Sequence, residues 1–287
     1  MIKYQQITKL PLEEVKLKIQ SFIDEDLPNG DFTSDAIFGD VPSISTAYLQ
    51  AQEKMILSGG EIIPLFFPED FKVEVLRKDG DYVADGEIFA RITGSTALIL
   101  SRERIILNLI QRMSAIATMT NRFAKIAEQY NVKILDTRKT TPGLRVFEKY
   151  SVAIGGGQNH RYGLSAGILI KDNHIRAAGS ITEAVTKVKN KKYGLPIEVE
   201  VEDLKEIAEA MKIGVDGLLL DNMTPPEIVK AMEYIHGLPG GNEVFVEASG
   251  GINLGNIGEY VKTGVHAIST GAVTHSVKCA NIHLEIE

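Results

Sequence analysis

From about residue 132 onward, short apolar runs alternate with helical stretches, and this rhythm limits the possible folds more than any other feature of the chain. The runs cover 133–136, 167–171, 197–201, 217–221, 244–247 and 267–269, with helical periodicity over 180–189, 203–212, 225–235 and 256–262. Strand, helix, strand at this spacing predicts βα units and a parallel sheet. Six in succession predict a (β/α) barrel, complete or incomplete. Thr224 followed by Pro225 is a helix start, an N-cap hydroxyl before a proline at the first helical position.

The apolar runs share a second property: each gives way to polar residues just before its turn. Asp136, Arg138 and Lys139 follow the first run, and Lys171 and Asp172 the second. Glu200, Asp221, Glu247 with Ser249, and Ser269 with Thr270 close the others. In a barrel these positions fall at the C-terminal ends of the strands, where active sites collect from several strands at once.

The residues before 132 have a different texture. A helix is predicted over 11–26, with Val15, Ile19, Phe22 and Ile23 on one face. The acidic, turn-rich segment 25–33 reads as a connection. Strands are predicted over 43–53, 71–76 and 88–92, and Asp79-Gly80 and Asp85-Gly86 mark tight reversals between them. A helical pattern then runs from 96 to 130. Its length exceeds the usual 8 to 20 residues, so a break is expected near Ser114-Ala115. The expected division is a small domain over 1–112 and a barrel-like domain over 113–287, the C-terminal end being free to pack back onto the first.

Composition serves to exclude. A single cysteine, Cys279, rules out an internal disulfide framework. No apolar run reaches the roughly 20 residues of a membrane span, and 1–16 lacks the plan of a signal peptide. A pI near 5.5 is not that of a nucleic-acid binder. A cytoplasmic protein with no membrane and no nucleic-acid partner is expected.

Against this acidic background, the forty residues 136–175 stand out. They hold six cations, Arg138, Lys139, Arg145, Lys149, Arg161 and Lys171, against three acids, in a chain whose formal charge is −7. The cations are interrupted by Thr140-Thr141-Pro142-Gly143 and by Gly155-Gly156-Gly157, turns that let long side chains converge. A small anionic ligand is the expectation. Loops 248–252 and 270–273, small and glycine-bearing after late strands, predict a monophosphate site built on Ser249, Gly250, Gly251, Thr270, Gly271 and Ala272. Glu200 and Asp221 suit ribose hydroxyls, or Mg²⁺ held directly, through water or through substrate. Zinc-ligand spacing, a phosphate-binding GxxxxGK[ST] motif and a nucleophile elbow are absent from the sequence. Cations for a carboxylated acceptor, glycine loops for a 5′-phosphate and acids for ribose and Mg²⁺ outline phosphoribosyl transfer.

The blocks DTRKTTPGLR, GGGQNHRYGL and LIKDNH, with IEVEVE, LLLDNM and EASGGI, resemble those of the quinolinate phosphoribosyltransferase family, over about residues 20–285. The resemblance implies an N-terminal α/β sandwich domain followed by a barrel-like domain, assembled at least as a homodimer. It implies that quinolinate is held by Arg104, Arg138, His160, Arg161 and Lys171, with Arg104 reaching in from the neighbouring subunit. Phosphoribosyl pyrophosphate would meet Lys139, Glu200, Asp221 and the two glycine loops, with Lys139, Lys171, Glu200 and Asp221 as the catalytic set. The product would be nicotinate mononucleotide, on the way to NAD. Three positions depart from the family pattern: Ala166 and His266 stand where aspartates are usual, and Thr270 where valine is commoner. Ser165 resembles a related ModD-like branch associated with molybdate transport, so another pyridine or pyrimidine acceptor is the alternative. A catalytically silent ligand-binding protein on the same scaffold would have lost the cations, and all are present.

Overall fold

The computed structural model describes residues 2–39 and 43–287. The chain divides into two compact units, and the division does not follow the sequence in one cut. One unit comprises 7–121, 142–156 and 277–287; the other comprises the first six residues, 122–141 and 157–276. The boundary expected at 112/113 falls inside one long helix. The C-terminal segment belongs with the first strands.

In the first unit, α1 (Leu12–Asp26) buries Val15, Ile19 and Ile23. α2 (Phe32–Phe38) follows the expected connection and takes up its last two residues. Asp31 caps it, accepting from the N–H groups of Thr33 and Ser34, which satisfies donors a new helix leaves open. The strands are β1 (Ile44–Ala51), β2 (Met55–Ile56), β3 (Lys72–Val75), β4 (Tyr82–Val83) and β5 (Ile88–Ser95). With the last strand of the chain, β12 (Ile282–Ile286), they form a four-stranded antiparallel sheet ordered β12-β1-β5-β3 and a small β2-β4 pair. Leu49, Ile62, Phe89, Ile92, Ile106 and Phe147 are among its fully buried core side chains.

The long helix α3 (Thr96–Glu128) is continuous, so the expected break at Ser114-Ala115 does not occur. Ser114 is buried, and its Oγ accepts the N–H of Ser58 at 3.2 Å. Its carbonyl accepts the Thr118 hydroxyl at 2.7 Å. Small polar residues here serve close packing, and their hydroxyls find partners without opening the helix.

The second unit is built on six parallel strands, β6 (Lys133–Leu135), β7 (Ile168–Ile170), β8 (Ile197–Val201), β9 (Gly217–Asp221), β10 (Phe245–Ser249) and β11 (Ala267–Ser269). Their order is β6-β11-β10-β9-β8-β7. Neighbouring ladders are parallel throughout. Among the described residues β6 and β7 do not pair, so the sheet is a barrel left open along one seam. Helices α5 (Asp172–Ala178), α6 (Ile181–Lys191), α7 (Leu204–Ile213), α8 (Pro225–His236) and α9 (Ile257–Tyr260) connect the strands. Thr224 and Glu227 cap α8 reciprocally. The remaining helix, α4 (Arg145–Ile154), belongs to the first unit.

The cation-rich stretch therefore splits. Arg138, Lys139, Arg161 and Lys171 lie in the barrel unit, whereas Arg145 and Lys149 lie on α4 in the other. Lys149 is fully buried there, and Glu148 beside it takes Arg112 at 2.6 Å. Two of the six cations of the stretch thus belong to the other unit, because the chain crosses between units within it.

Candidate active site

The C-terminal ends of the barrel strands gather the expected residues. Arg138 and Lys139 follow β6, Lys171 immediately follows β7, Glu200 is the penultimate residue of β8, and Asp221 and Ser249 end β9 and β10. Lys171 donates from Nζ to Glu200 Oε2 at 2.6 Å, with the lysine side chain 45% exposed and the glutamate nearly buried. The Lys171 backbone is fixed from the other side, its N–H donating to His174 Nδ1 at 2.9 Å. Burial, and next the negative charge of Glu200, hold the Asp221 carboxyl above the usual aspartate range; Lys171 and Lys139 pull it back. Two crowded carboxylates facing two lysines attract a cationic or hydroxylic ligand on one side and anions on the other.

The two glycine loops are stitched together. Thr270, 4% exposed, donates from Oγ1 to the carbonyl of Ile252 at 2.7 Å and accepts the Ala272 N–H at 3.1 Å. One hydroxyl therefore ties the loop after β11 to the loop after β10. Gly250, at φ +99°, cannot carry a side chain: a Cβ there would lie 2.2 Å from Asn222 Oδ1. A Cβ on Gly271 would meet His275 at 2.5 Å and the Lys139 side chain at 3.1 Å. The backbone of Lys139 is fastened to the same loop, its carbonyl accepting from Thr274 Oγ1 at 2.8 Å. Thr270 is thus the departure that touches the site. Ala166 is exposed before β7. His266 precedes β11 at the opposite strand end, where its Nδ1 accepts the Val246 N–H at 3.0 Å.

His160 and Arg161 are drawn inward. Arg161 is 5% exposed and donates from Nη1 to the Gly167 carbonyl at 2.9 Å. Burial, then the charge of Arg138, lower its affinity for a proton. An anion arriving between the two guanidiniums would relieve that repulsion. The His160 N–H donates to Asp136 at 2.8 Å, and its Nε2 lies 3.4 Å from Glu198 and 3.6 Å from Glu247. Sequence reasoning missed Glu198. The period-2 pattern of Glu198, Glu200 and Glu202 was its signal, since alternate residues of a strand share a face. Tyr4, whose hydroxyl donates to Glu198 Oε2 at 3.0 Å, was missed as well, and nothing in its sequence neighbourhood marks it.

Arg104 lies on α3 in the other unit, its side chain 63% exposed and its guanidinium 3.9 Å from Glu103. No helix among the described residues is long and apolar enough to cross a membrane.

An open parallel barrel with cations, paired carboxylates and two tied glycine loops at its strand ends has the make-up of a phosphoribosyl-transfer enzyme. The chain belongs to the quinolinate phosphoribosyl transferase family, matching its N-terminal domain over 31–114 and its C-terminal domain over 116–285. A probable carboxylating nicotinate-nucleotide pyrophosphorylase of Bacillus subtilis is 43% identical over 277 residues, covering 95% of this chain and 93% of the relative. A relative of the same description from Methanocaldococcus jannaschii is 40% identical, covering 96% and 98%. The structure of the nicotinate-nucleotide pyrophosphorylase from Francisella tularensis superposes with a TM-score of 0.91 at 36% identity, over 99% of this chain and all of that one.

Proposed function

We infer that this chain is a carboxylating nicotinate-nucleotide pyrophosphorylase. It transfers the phosphoribosyl group of phosphoribosyl pyrophosphate to quinolinate, with decarboxylation, in NAD biosynthesis. The observation that carries the reading is a set of barrel-end charges: Arg161 lies in the field of Arg138, and Lys171 holds Glu200 beside Asp221, which is more positive charge than one carboxylate needs, with acids suited to a sugar.

The quinolinate nitrogen attacks ribose C1′ as the bond to pyrophosphate breaks, leaving a pyridinium. Carbon dioxide then leaves from C2, and the electron pair it releases is taken up by the cationic ring before a proton replaces it. Arg138, Arg161 and Lys171 orient the acid. Lys139 faces the departing pyrophosphate, and the Thr270-tied loops offer backbone N–H groups to the 5′-phosphate. Such charge-assisted contacts are worth about 1.5–3 kcal/mol each. Their catalytic value is whatever part of that is made only in the transition state.

Mg²⁺ fits the carboxylate pair, because Asp221 and Glu200 are hard oxygen donors whose mutual repulsion a divalent cation would offset. Held by Glu200 and Asp221, it would neutralise charge on the pyrophosphate. We assign the reaction to the cytoplasm and to a homodimer in which Arg104 serves the partner's site. Arg104→Ala and Lys171→Ala chains, each nearly inactive alone, should regain about a quarter of wild-type activity after subunit exchange, since half the dimers then carry one intact site. Recovery of none would remove Arg104 from the partner's site.

The test of the function is an acceptor panel with quinolinate, nicotinate and no acid, followed for pyrophosphate and carbon dioxide. Turnover on quinolinate alone is expected, because nicotinate lacks the 2-carboxylate and leaves cations unpaired. Comparable turnover on both would overturn the reading.

A further inference from the structure

Segment 2–6 lies outside both stretches that match the family, yet it reaches the middle of the barrel unit. Ile2 packs with Leu135 of β6, Phe245 and Ala267. Gln6 grips the backbone of Asn159 from both sides, donating to its carbonyl at 3.0 Å and accepting its N–H at 2.7 Å. Tyr4 sits against Gly167, just before β7, so closely that a Cβ on that glycine would lie 2.5 Å from the phenol ring. The segment thus touches β6 and the start of β7, the two strands that do not pair. It lies over the seam that the open sheet leaves.

What Tyr4 does inside the seam is specific. Its ring stacks on His160 with centroids 4.5 Å apart, and its hydroxyl donates to Glu198 Oε2 at 3.0 Å. Burial, and next the charge of Glu198, hold that hydroxyl firmly protonated, so it remains a donor. His160 in turn accepts the Arg161 N–H at Nδ1, at 2.8 Å. A ring nitrogen that accepts has no proton, so the proton of neutral His160 is on Nε2, facing Glu198 and Glu247. This tautomer also argues against a metal ion among His160, Glu198 and Glu247, although their ligand atoms lie within 4.8 Å of one another. A metal at Nε2 would move the proton to Nδ1 and break the bond from Arg161.

We propose that Tyr4 is a positioning residue for recognition of the acid substrate: it holds His160 in one ring orientation and one tautomer, and His160 holds the backbone of Arg161. The inference rests on the reading of Arg138 and Arg161 as the pair that receives a quinolinate carboxylate. Gly167 belongs to the same device, since it takes the Arg161 guanidinium on its carbonyl and leaves room for the Tyr4 ring.

Three full-length variants test it. Tyr4→Phe keeps the stacking and removes the hydroxyl, Tyr4→Ala removes both, and Gly167→Ala pushes the ring aside. Quinolinate KM should rise about five-fold in Tyr4→Phe, the size of one lost hydrogen bond, and further in the other two. KM for phosphoribosyl pyrophosphate should stay put, and kcat should change less than quinolinate KM. Separately, ¹⁵N NMR of the imidazoles, with His160→Gln assigning the signal, should show an Nε2–H tautomer in wild type and tautomer averaging in Tyr4→Ala. Unchanged quinolinate KM and an unchanged His160 signal would overturn the proposal. So would a rise in both KM values in step with lost thermal stability, the mark of a purely structural role. If wild type turns over no quinolinate, the functional reading fails, and the NMR arm alone decides whether Tyr4 fixes His160.

Discussion

Glu198 and Glu200 are the same residue type on one face of one strand, two positions apart, and their surroundings give them opposite work. Glu200 meets Lys171 at 2.6 Å, and that lysine is half exposed. A ligand can therefore compete for either partner. Glu198 is fully buried, with the Tyr4 hydroxyl and the His160 ring against it, so nothing from solvent can displace its partners. A carboxylate at the strand end is available for chemistry; one layer deeper it can only hold other groups still. Glu247 and Ser249 repeat the spacing on β10, the acid buried and the serine partly exposed at the strand end.

The comparison breaks most visibly at the lower layer. Glu198→Ala removes the acceptor of the Tyr4 hydroxyl and the nearer of the two carboxylates facing His160 Nε2, and should cost about 2–5 kcal/mol of stability, as loss of a buried charged partner does. Denaturant unfolding measures it; a loss under about 1 kcal/mol would show that the buried carboxylate is dispensable. Glu200→Gln should do the reverse, lowering kcat/KM about 10- to 150-fold, the equivalent of one charge-assisted contact, while melting like wild type. If the two variants exchanged these phenotypes, the layers would have been assigned backwards.

A pH series sharpens the same contrast. Burial first, then the charge of Glu198, raise the Glu247 carboxyl from its ordinary 4.5 toward about 7, with His160 opposing. An acid whose folded pKa is raised binds its proton more tightly in the folded state. Its contribution to stability is complete below about 4.5 and is lost as pH climbs toward about 7. Glu247→Gln, uncharged at every pH, should flatten that part of the stability profile. A variant with the wild-type slope would place the titration elsewhere.

The smallest effect is expected at Thr270. Thr270→Val keeps the shape and removes the hydroxyl that ties the two glycine loops, so KM for phosphoribosyl pyrophosphate should rise about three- to ten-fold. Quinolinate KM should not move. An equal rise in both would mean that the loops also shape the acid pocket.

Much of the barrel was legible because its strands are buried on both faces and read as apolar runs, each closed by a polar residue. Lys171, Glu200, Asp221 and Ser249 were found by that punctuation alone. α2 and α4 were not found: α2 depends on one capping aspartate, and α4, though amphipathic, carries Arg145 and Lys149, which were read with the cation-rich stretch rather than as a helix. The crossing of 142–156 into the other unit has no local signal. Tyr4 was beyond reach for a different reason. Its partners Glu198, His160 and Gly167 are all more than 150 residues away, and its neighbours spell neither strand nor helix.

The central claim is that these strand ends carry a decarboxylating phosphoribosyl transfer. A single-turnover experiment with phosphoribosyl pyrophosphate, Mg²⁺ and quinolinate labelled with ¹³C in the 2-carboxylate tests it directly. The account predicts labelled carbon dioxide and pyrophosphate in equal amounts, with an unlabelled mononucleotide. Pyrophosphate release without labelled carbon dioxide, or a mononucleotide that keeps the label, would contradict it.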